Sequence, residues 1–474
     1  MDARLLDELR RAAGIDSVRV DEPSLEAASG DKWFARSRPE VVVFGRSTAA
    51  ISAVMKIASR EKIPVTTRGA GHGYVGGCVP VRGGIALALE RMNRIKEISA
   101  EDFVAVVEPG VITGRLQAAA RAQGLFYPPD PASLKDCSLG GNIATNAGGP
   151  RCLKYGVTRN YVLGLEVVLA DGTVARVGGR THKNKTGFDL VGLFTGSEGM
   201  LGIVTEATLR LLPAPPARAV LSASFSGMDH AAAAVQSVFT QGHLPSALEI
   251  ADRFTLEAAR RHAGGETVIP PGEAHLLVEI DGQISAVKEE ACDLHGLLTA
   301  AGAVSVESAN TEEGCEALWE LRRKFSASLK ATGLKKLNED IAVPRGKLVE
   351  LVEFGAELGR EFGAPIACFG HAGDGNIHVN IMVENPDDPA TMARMEQALD
   401  KLFHGVLAMG GVITGEHGIG LAKKRWWPQA VDAGSHDLHR RVKQALDPHD
   451  LLNPGKFLEP ASERKSVGHP SLRG

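Results

Sequence analysis

TTRGAGHGYVGGCVP, residues 66–80, follows an apolar strand pattern and packs five glycines between positions 69 and 77. A dinucleotide fold would need a third glycine three residues after Gly71 and then a helix; position 74 is Tyr74, and Pro80 stops any helix. That fold is excluded. Two readings stay open: a plain tight turn, or a nest of backbone N–H groups from Gly69, Gly71, Gly73, Gly76 and Gly77 that cradles a pyrophosphate, because glycine allows positive φ and close approach.

Working outward, residues 40–67 read as strand (VVVFG), amphipathic helix (STAAISAVMKIASREK) and strand (IPVTT), with Ser47 as helix cap. Short β-rich runs continue to about residue 212. Two more loops couple glycines to small hydroxyl or amide residues and are expected to lead into apolar strands: PPDPASLKDCSLGGNIATNAGGP (128–150) and FTGSEGMLGIVTEA (194–207). Three such loops in one domain suggest one extended cofactor lying across it.

Pro213, Pro215 and Pro216 mark a boundary, after which strands and long amphipathic helices alternate to about residue 425. Glycine makes up 54 of 474 residues, about 11% against an ordinary level of about 7%. With 44% apolar residues the chain is globular and long enough for two or three domains. A net charge of −4, 53 basic against 57 acidic residues, leaves no basic excess, so nucleic acid is not expected as a partner. The opening MDARLLDELRRAAG is charged and helical in pattern, unlike a signal peptide, and no stretch reaches about 18 uncharged apolar residues. The expected location is cytoplasmic, directly or held at the inner membrane through a partner. Six scattered cysteines without a C-x-x-C pair speak against a disulfide framework and against an iron–sulfur cluster within the chain.

CFGHAGDGNIHVN, residues 368–380, raises a separate question. If IACFGH and NIHVNIMV are strands joined at AGDG with residue 371 opposite 376, then His371, Asn376, His378 and Asn380 share one face, and Ile377, Val379, Ile381 and Val383 the other. His371 and His378 become diagonal neighbours within reach of one ion. Glu416, in the glycine-rich turn GGVITGEHGIG, can complete a two-histidine, one-carboxylate set that leaves positions open for substrate. The competing reading pairs Glu416 with Lys423 or Lys424.

The glycine-loop patterns R-G-x-G-x-x-x-x-G-G, D-P-x-S-x-x-x-x-x-x-G-G-N-x-A-x-N-A-G-G and G-S-E-G-x-L-G-I-V-T together resemble the FAD domain of vanillyl-alcohol-oxidase-type flavoenzymes. H-x-G-D-G-N-x-H and G-E-H-G-x-G resemble the FAD-linked 2-hydroxy-acid dehydrogenases: the glycolate oxidase flavin subunit, D-lactate dehydrogenase and D-2-hydroxyglutarate dehydrogenase. The resemblance runs from about residue 38 to 458. It implies an α+β protein with an N-terminal helical segment (1–37), a two-part FAD-binding domain (38–214), an α+β substrate or cap domain (218–425), a C-terminal segment returning to the FAD domain (426–458) and a polar tail (459–474). FAD would lie with its pyrophosphate on Arg68, Gly69, Ala70, Gly71, His72, Gly73, Gly76 and Gly77. Its isoalloxazine would lie near Ser133–Gly149, with Ser133, Gly140, Gly141, Asn142, Ala144, Thr145 and Gly148, and Pro129 and Asp130 would also bind the cofactor. Its adenine end would lie near Glu198, Gly199, Gly202 and Ile203, with Asn453 also contributing. Many members have Thr or Ser where this chain has His72. The Arg-x-x-Gly-His spacing instead resembles berberine-bridge-type enzymes, so His72 either bonds covalently to the flavin 8α-methyl or hydrogen-bonds the cofactor.

For the second half, the resemblance implies His371, His378 and Glu416 as ligands of a divalent metal, zinc first, with iron or manganese as alternatives. It makes His417 the base. Asn380 would contact substrate, Arg322 and Ser326 on LWELRRKFSASL would meet its carboxylate, and Lys336 would stand on the same wall; the competing reading of Arg322 is a solvated basic face with Arg323 and Lys324. The implied reaction oxidises a small D-2-hydroxy acid, D-lactate or glycolate first, to the 2-oxo acid, with proton abstraction by His417 and hydride transfer to flavin N5. D-2-hydroxyglutarate, an oxygen-using oxidase, and a non-redox enzyme like alkyl-glycerone-phosphate synthase are the alternatives. Electrons would pass to an iron–sulfur subunit, an electron-transferring flavoprotein, a quinone or a cytochrome, and a homodimer stays open.

Overall fold

The computed structural model describes residues 1–262 and 269–458; the expected polar tail lies outside the described residues. Strands Val41–Phe44 and Val65–Arg68 flank Ile85–Ala88 in parallel, and helix Thr48–Glu61 crosses between the first two. Ser47 Oγ accepts the Ala50 N–H at 3.2 Å, the expected cap. The helix buries Ile51, Val54, Met55 and Ala58 against this sheet. The segment before residue 38 is more than helical: Val18–Arg19 pairs with Val42 and Val43 as the sheet's fourth strand, and Leu9 enters the same core. The chain also returns here at its far end, where Leu452 bridges to Val65 and joins that core.

A second sheet is wholly antiparallel, in the order Ile95–Ser99, Val104–Val107, Ile203–Arg210, Val162–Val168, Val174–Gly178. One expectation fails between them. The 128–150 stretch does not lead into a strand; Ser138 caps a short helix, Leu139–Thr145, and the next strand starts only at Val162. Gly140 sits in that helix because a Cβ there would lie 2.6 Å from Pro109 Cβ, so close packing outweighs helix propensity.

The third sheet has seven antiparallel strands, in the order Ser305–Ala309, Ala217–Phe225, Ala274–Gly282, Ala247–Ala251, Ile366–His371, Asn376–Val383, Lys335–Ala342. Its two faces differ in kind. Leu248, Ile250, Leu276, Val278, Ile377, Val379 and Ile381 pack under helices Met228–Thr240, Ile284–Ala300, Leu348–Phe362 and Pro389–Ala408. The alternate residues Glu249, Glu279, Asp340, His371, His378 and Asn380 are equally buried but point to the opposite face. Helices Arg253–His262 and Glu312–Ala331 cover one end of that face through Leu256, Leu321, Phe325 and Phe369. Buried charge requires partners, so this face is a site or a network. No helix among the described residues is long and apolar enough to cross a membrane.

Candidate active site

The expected hairpin register holds: His371 lies opposite Asn376, and Phe369 opposite His378. The His371 and His378 ring centroids are 5.7 Å apart. Gly375 makes the turn at φ +80°, where a Cβ would collide with Val343 O at 2.1 Å. Glu416 Oε1 stands 3.8 Å from His371 Nε2, 3.7 Å from His378 Nε2 and 3.8 Å from His417 Nε2. These are too long for hydrogen bonds. One ligand atom from each of His371, His378 and Glu416 lies within 4.8 Å of the others, a spacing and donor set that suit a divalent ion bound at about 2.0–2.2 Å per ligand.

Two carboxylates absent from the sequence reading organise this cluster. Glu249, 1% exposed, accepts from His371 Nδ1 at 2.6 Å and from Arg322 Nε at 2.6 Å. It thereby turns His371 Nε2 toward Glu416, as a carboxylate behind a metal-ligating histidine does. Burial opposes charge at both groups, yet His371 and Arg322 hold the Glu249 carboxyl down to about 2, and Glu249 with Glu416 holds His371 well above the usual imidazole range. An ion binding Nε2 displaces that proton. Burial pushes His378 down to about 3, neutral as a ligand must be. Asp340, fully buried opposite His378, accepts Asn376 Nδ2 at 2.7 Å and the N–H of Glu416 and of His417 at 2.9 Å each. Lys423 donates to Asp340 O at 2.7 Å and Lys424 to Gly455 O at 3.2 Å, so the chain uses these lysines away from Glu416.

Beside the cluster, Arg322 is 14% exposed and lies 4.9 Å over the Phe369 ring, while Arg323 is the exposed one, paired with Glu316 and Glu320. The solvated-face reading therefore fails for Arg322. Lys336 Nζ donates to Ser326 Oγ at 3.1 Å, and burial, with Lys330 and Arg322 nearby, lowers its pKa to about 8. Asn380 Nδ2 is spent on the backbone of Ala367 and His378, but its Oδ1 is buried without a partner, as is Asn338 Oδ1 directly across the strand pair. His417 stacks on His378 at 5.6 Å and lies 5.4 Å from the Tyr74 ring, which belongs to the first glycine loop.

That loop and its two companions converge. Arg68 folds back beneath Gly71, whose φ is +69°, and donates to Gly30 O. Ser138 Oγ accepts from Ala70 N and Gly141 N, and Gly69 leaves room for it, since a Cβ there would lie 2.5 Å away. Asn453 Nδ2 bridges Gly77 O (2.9 Å) and Glu198 O (2.7 Å), while Asn453 Oδ1 and Thr67 Oγ1 remain buried without partners. The close-packed glycines and the orphaned polar atoms fit a hydrogen-bonding ligand such as FAD. The Ser133–Gly149 stretch ends against the histidine cluster: a Cβ on Gly148 would sit 3.2 Å from Glu416 Oε2.

Some residues of the expected cofactor set have side chains committed elsewhere. Asp130 pairs with Arg151 at 2.7 Å, and Arg151 continues to Glu279 at 2.8 Å. Thr145 Oγ1 bonds its own helix at Gly141 O, Gly202 abuts Val167 and Phe194, and Ile203 sits in the first core. Glu198 sends its carboxylate to the N–H of Ile419 and Gly420. For His72 and Ser133 no side-chain partner among the described residues decides a role.

Comparison with known proteins gives this architecture its class. Residues 39–178 match the FAD binding domain family and residues 214–457 the C-terminal domain of the FAD linked oxidases. The chain belongs to the FAD linked oxidase family and is an FAD-dependent oxidoreductase. It is 39% identical to the glycolate oxidase subunit GlcD of Bacillus subtilis (strain 168), over 91% of this chain and 92% of that one. It is 37% identical to the D-lactate dehydrogenase of Archaeoglobus fulgidus, over 96% and 99%. Among solved structures, 4-ethylphenol oxidase from Gulosibacter chungangensis superposes with TM-score 0.76 at 23% identity (98% of each chain), and alkyldihydroxyacetonephosphate synthase with 0.75 at 18% (96% of this chain, 86% of that one). Those structures show the fold alone, and it is the expected vanillyl-alcohol-oxidase type with an α+β second part.

Proposed function

We propose that this chain oxidises a small D-2-hydroxy acid, D-lactate or glycolate first, to the 2-oxo acid, with a divalent metal, zinc first, held by His371, His378 and Glu416. The observation that carries the reading is the convergence of three imidazole Nε2 atoms on Glu416 Oε1, with a buried arginine sharing a carboxylate with one of them. The names of the relatives, a glycolate oxidase subunit and a D-lactate dehydrogenase, support the substrate class. FAD, when bound, accepts a hydride at N5; a bound divalent ion lowers the pKa of a hydroxyl that ligates it. Arg322 commits its Nε to Glu249, which leaves its terminal amino groups for a substrate carboxylate. His417 Nε2, on the Glu416 side of the cluster, takes the hydroxyl proton. Asn380 Oδ1 supplies a fixed acceptor, and the burial of His378 limits water on its side of the site. Lys336 adds a second cation beside Arg322, which favours a dicarboxylic acid such as D-2-hydroxyglutarate as the second reading. Without cluster-forming cysteines, electrons leave to a partner, for which the word subunit in a relative's name speaks.

The test is an anaerobic titration of the FAD-loaded protein with glycolate, D-lactate, L-lactate, D-malate and D-2-hydroxyglutarate, following flavin absorbance near 450 nm. Bleaching by glycolate or by one D-acid that His417→Ala abolishes supports the reading. No bleaching by any of them, with FAD and metal bound, refutes it.

A further inference from the structure

Glu416 and His417 stand on a segment without helix or strand, Thr414–Gly420, which makes its rigidity a question. From the seven-stranded sheet, Asp340 Oδ2 holds the first half, accepting Thr414 Oγ1 at 2.9 Å, Gly415 N at 3.0 Å, and Glu416 N and His417 N at 2.9 Å each. From the third glycine loop, Glu198 holds the second half, accepting Ile419 N at 2.7 Å on Oε1 and Gly420 N at 2.8 Å on Oε2. The glycines of the segment fit this arrangement. A Cβ on Gly415 would lie 2.1 Å from Asn376 Nδ2, and one on Gly418, where φ is +88°, 2.9 Å from Glu198 Oε1.

Glu198 is itself unusual. It is buried, and its backbone adopts the left-handed region at φ +50°, a conformation that costs a non-glycine residue free energy and persists only where surroundings enforce it. Those surroundings are the cofactor loops: Glu198 N donates to Ala144 O at 2.8 Å, and Glu198 O accepts from Asn453 Nδ2 at 2.7 Å. One residue therefore has its backbone fixed by the elements around the flavin and its side chain fixed to the loop that carries the base. Asp340 ties that loop to the sheet bearing His371 and His378; it sets no distance to the flavin side.

We infer that Glu198 is a positioning residue that registers Glu416 and His417 to the FAD-binding half, a role that rests on the proposed function for its catalytic meaning. Both oxygens are used on N–H donors, so Glu198→Gln keeps the shape but turns an amide NH2 toward one of them. Two measurements on the FAD-loaded E198Q protein decide it. Hydrogen exchange of a peptide spanning 415–421 is expected to quicken locally, with exchange elsewhere unchanged. Anaerobic flavin reduction by the acid found for the wild type is expected to slow in its limiting rate by on the order of 10²-fold, with half-saturation little moved, as misplacement of a catalytic group by about 1 Å does. Unchanged exchange at 415–421, or an unchanged limiting rate, overturns the inference. Should E198Q fail to load FAD, Glu198→Asp, which keeps the charge and shortens the reach by one methylene, carries the same expectations. If no acid reduces the wild type, the proposed function falls by itself, and the exchange result still decides whether Glu198 holds the loop.

Discussion

Replacing Glu249 with Gln should unsettle the protein at a single buried point. Glu249 is 1% exposed and holds two cationic donors, His371 Nδ1 and Arg322 Nε, at 2.6 Å each. A hydrogen bond to a charged group contributes about 1.5–3 kcal/mol; Gln keeps one carbonyl oxygen, so one of the two bonds is lost and the other falls to roughly half as a neutral bond, about 2–5 kcal/mol together, and breaking a buried pair by deleting one partner costs about 3–5 kcal/mol. The two routes agree near 4 kcal/mol. Much of that cost is the guanidinium left without a counter-charge, so Glu249→Gln with Arg322→Met should be less destabilised than the sum of the single changes. The assay is equilibrium urea denaturation of the four FAD-loaded proteins at one fixed FAD excess, because ligand concentration shifts apparent stability. A Glu249→Gln protein within about 0.5 kcal/mol of wild type, the range of an ordinary surface change, or strict additivity in the cycle would refute the reasoning.

Removing one of the proposed metal ligands, by His371→Ala or Glu416→Gln, should leave the flavin spectrum intact and lower the zinc that the protein retains after gel filtration, measured by mass spectrometry, relative to wild type. Loss of Glu249 behind His371 should weaken zinc binding by about 10–100-fold, read by chelator competition. Lys336 loses its proton as pH rises through about 8, because burial and the neighbouring Lys330 and Arg322 disfavour its charge. The half-saturating concentration of a dicarboxylic acid should therefore increase between pH 7 and pH 9 in the wild type, and Lys336→Met should raise it at pH 7 and flatten that dependence. Precipitation with trichloroacetic acid separates the readings of His72: a covalent flavin stays yellow in the pellet and is released in His72→Ser, whereas a hydrogen-bonded one enters the supernatant from both.

Local order was legible in the chain itself, because it depends on neighbours a few residues apart. The Ser47 cap, the helix after it and the strict alternation of Ile377, Val379 and Ile381 with His378 and Asn380 follow from periods of 3.6 and 2. The helix at Leu139–Thr145 was not legible, since Gly140 and Gly141 argue against it and only the approach of Pro109 explains the first of them.

The sequence by itself determined which strand residues face inward, that the glycine loops are unlike a dinucleotide fingerprint, and that two histidines share a face. Tertiary structure alone decided which further carboxylates hold the histidines and Glu416 in place. Glu249 meets His371 across 122 positions, Asp340 meets His417 across 77 and Glu198 meets Gly420 across 222. In the chain each is one more acid in an alternating or glycine-rich run. Strand order brings Ala247–Ala251 beside Ile366–His371, and docking of the glycine loop onto the Thr414–Gly420 segment brings in Glu198. Burial then turns these acids from solvated charges into obligatory partners, because a carboxylate removed from water must find its donors inside the protein.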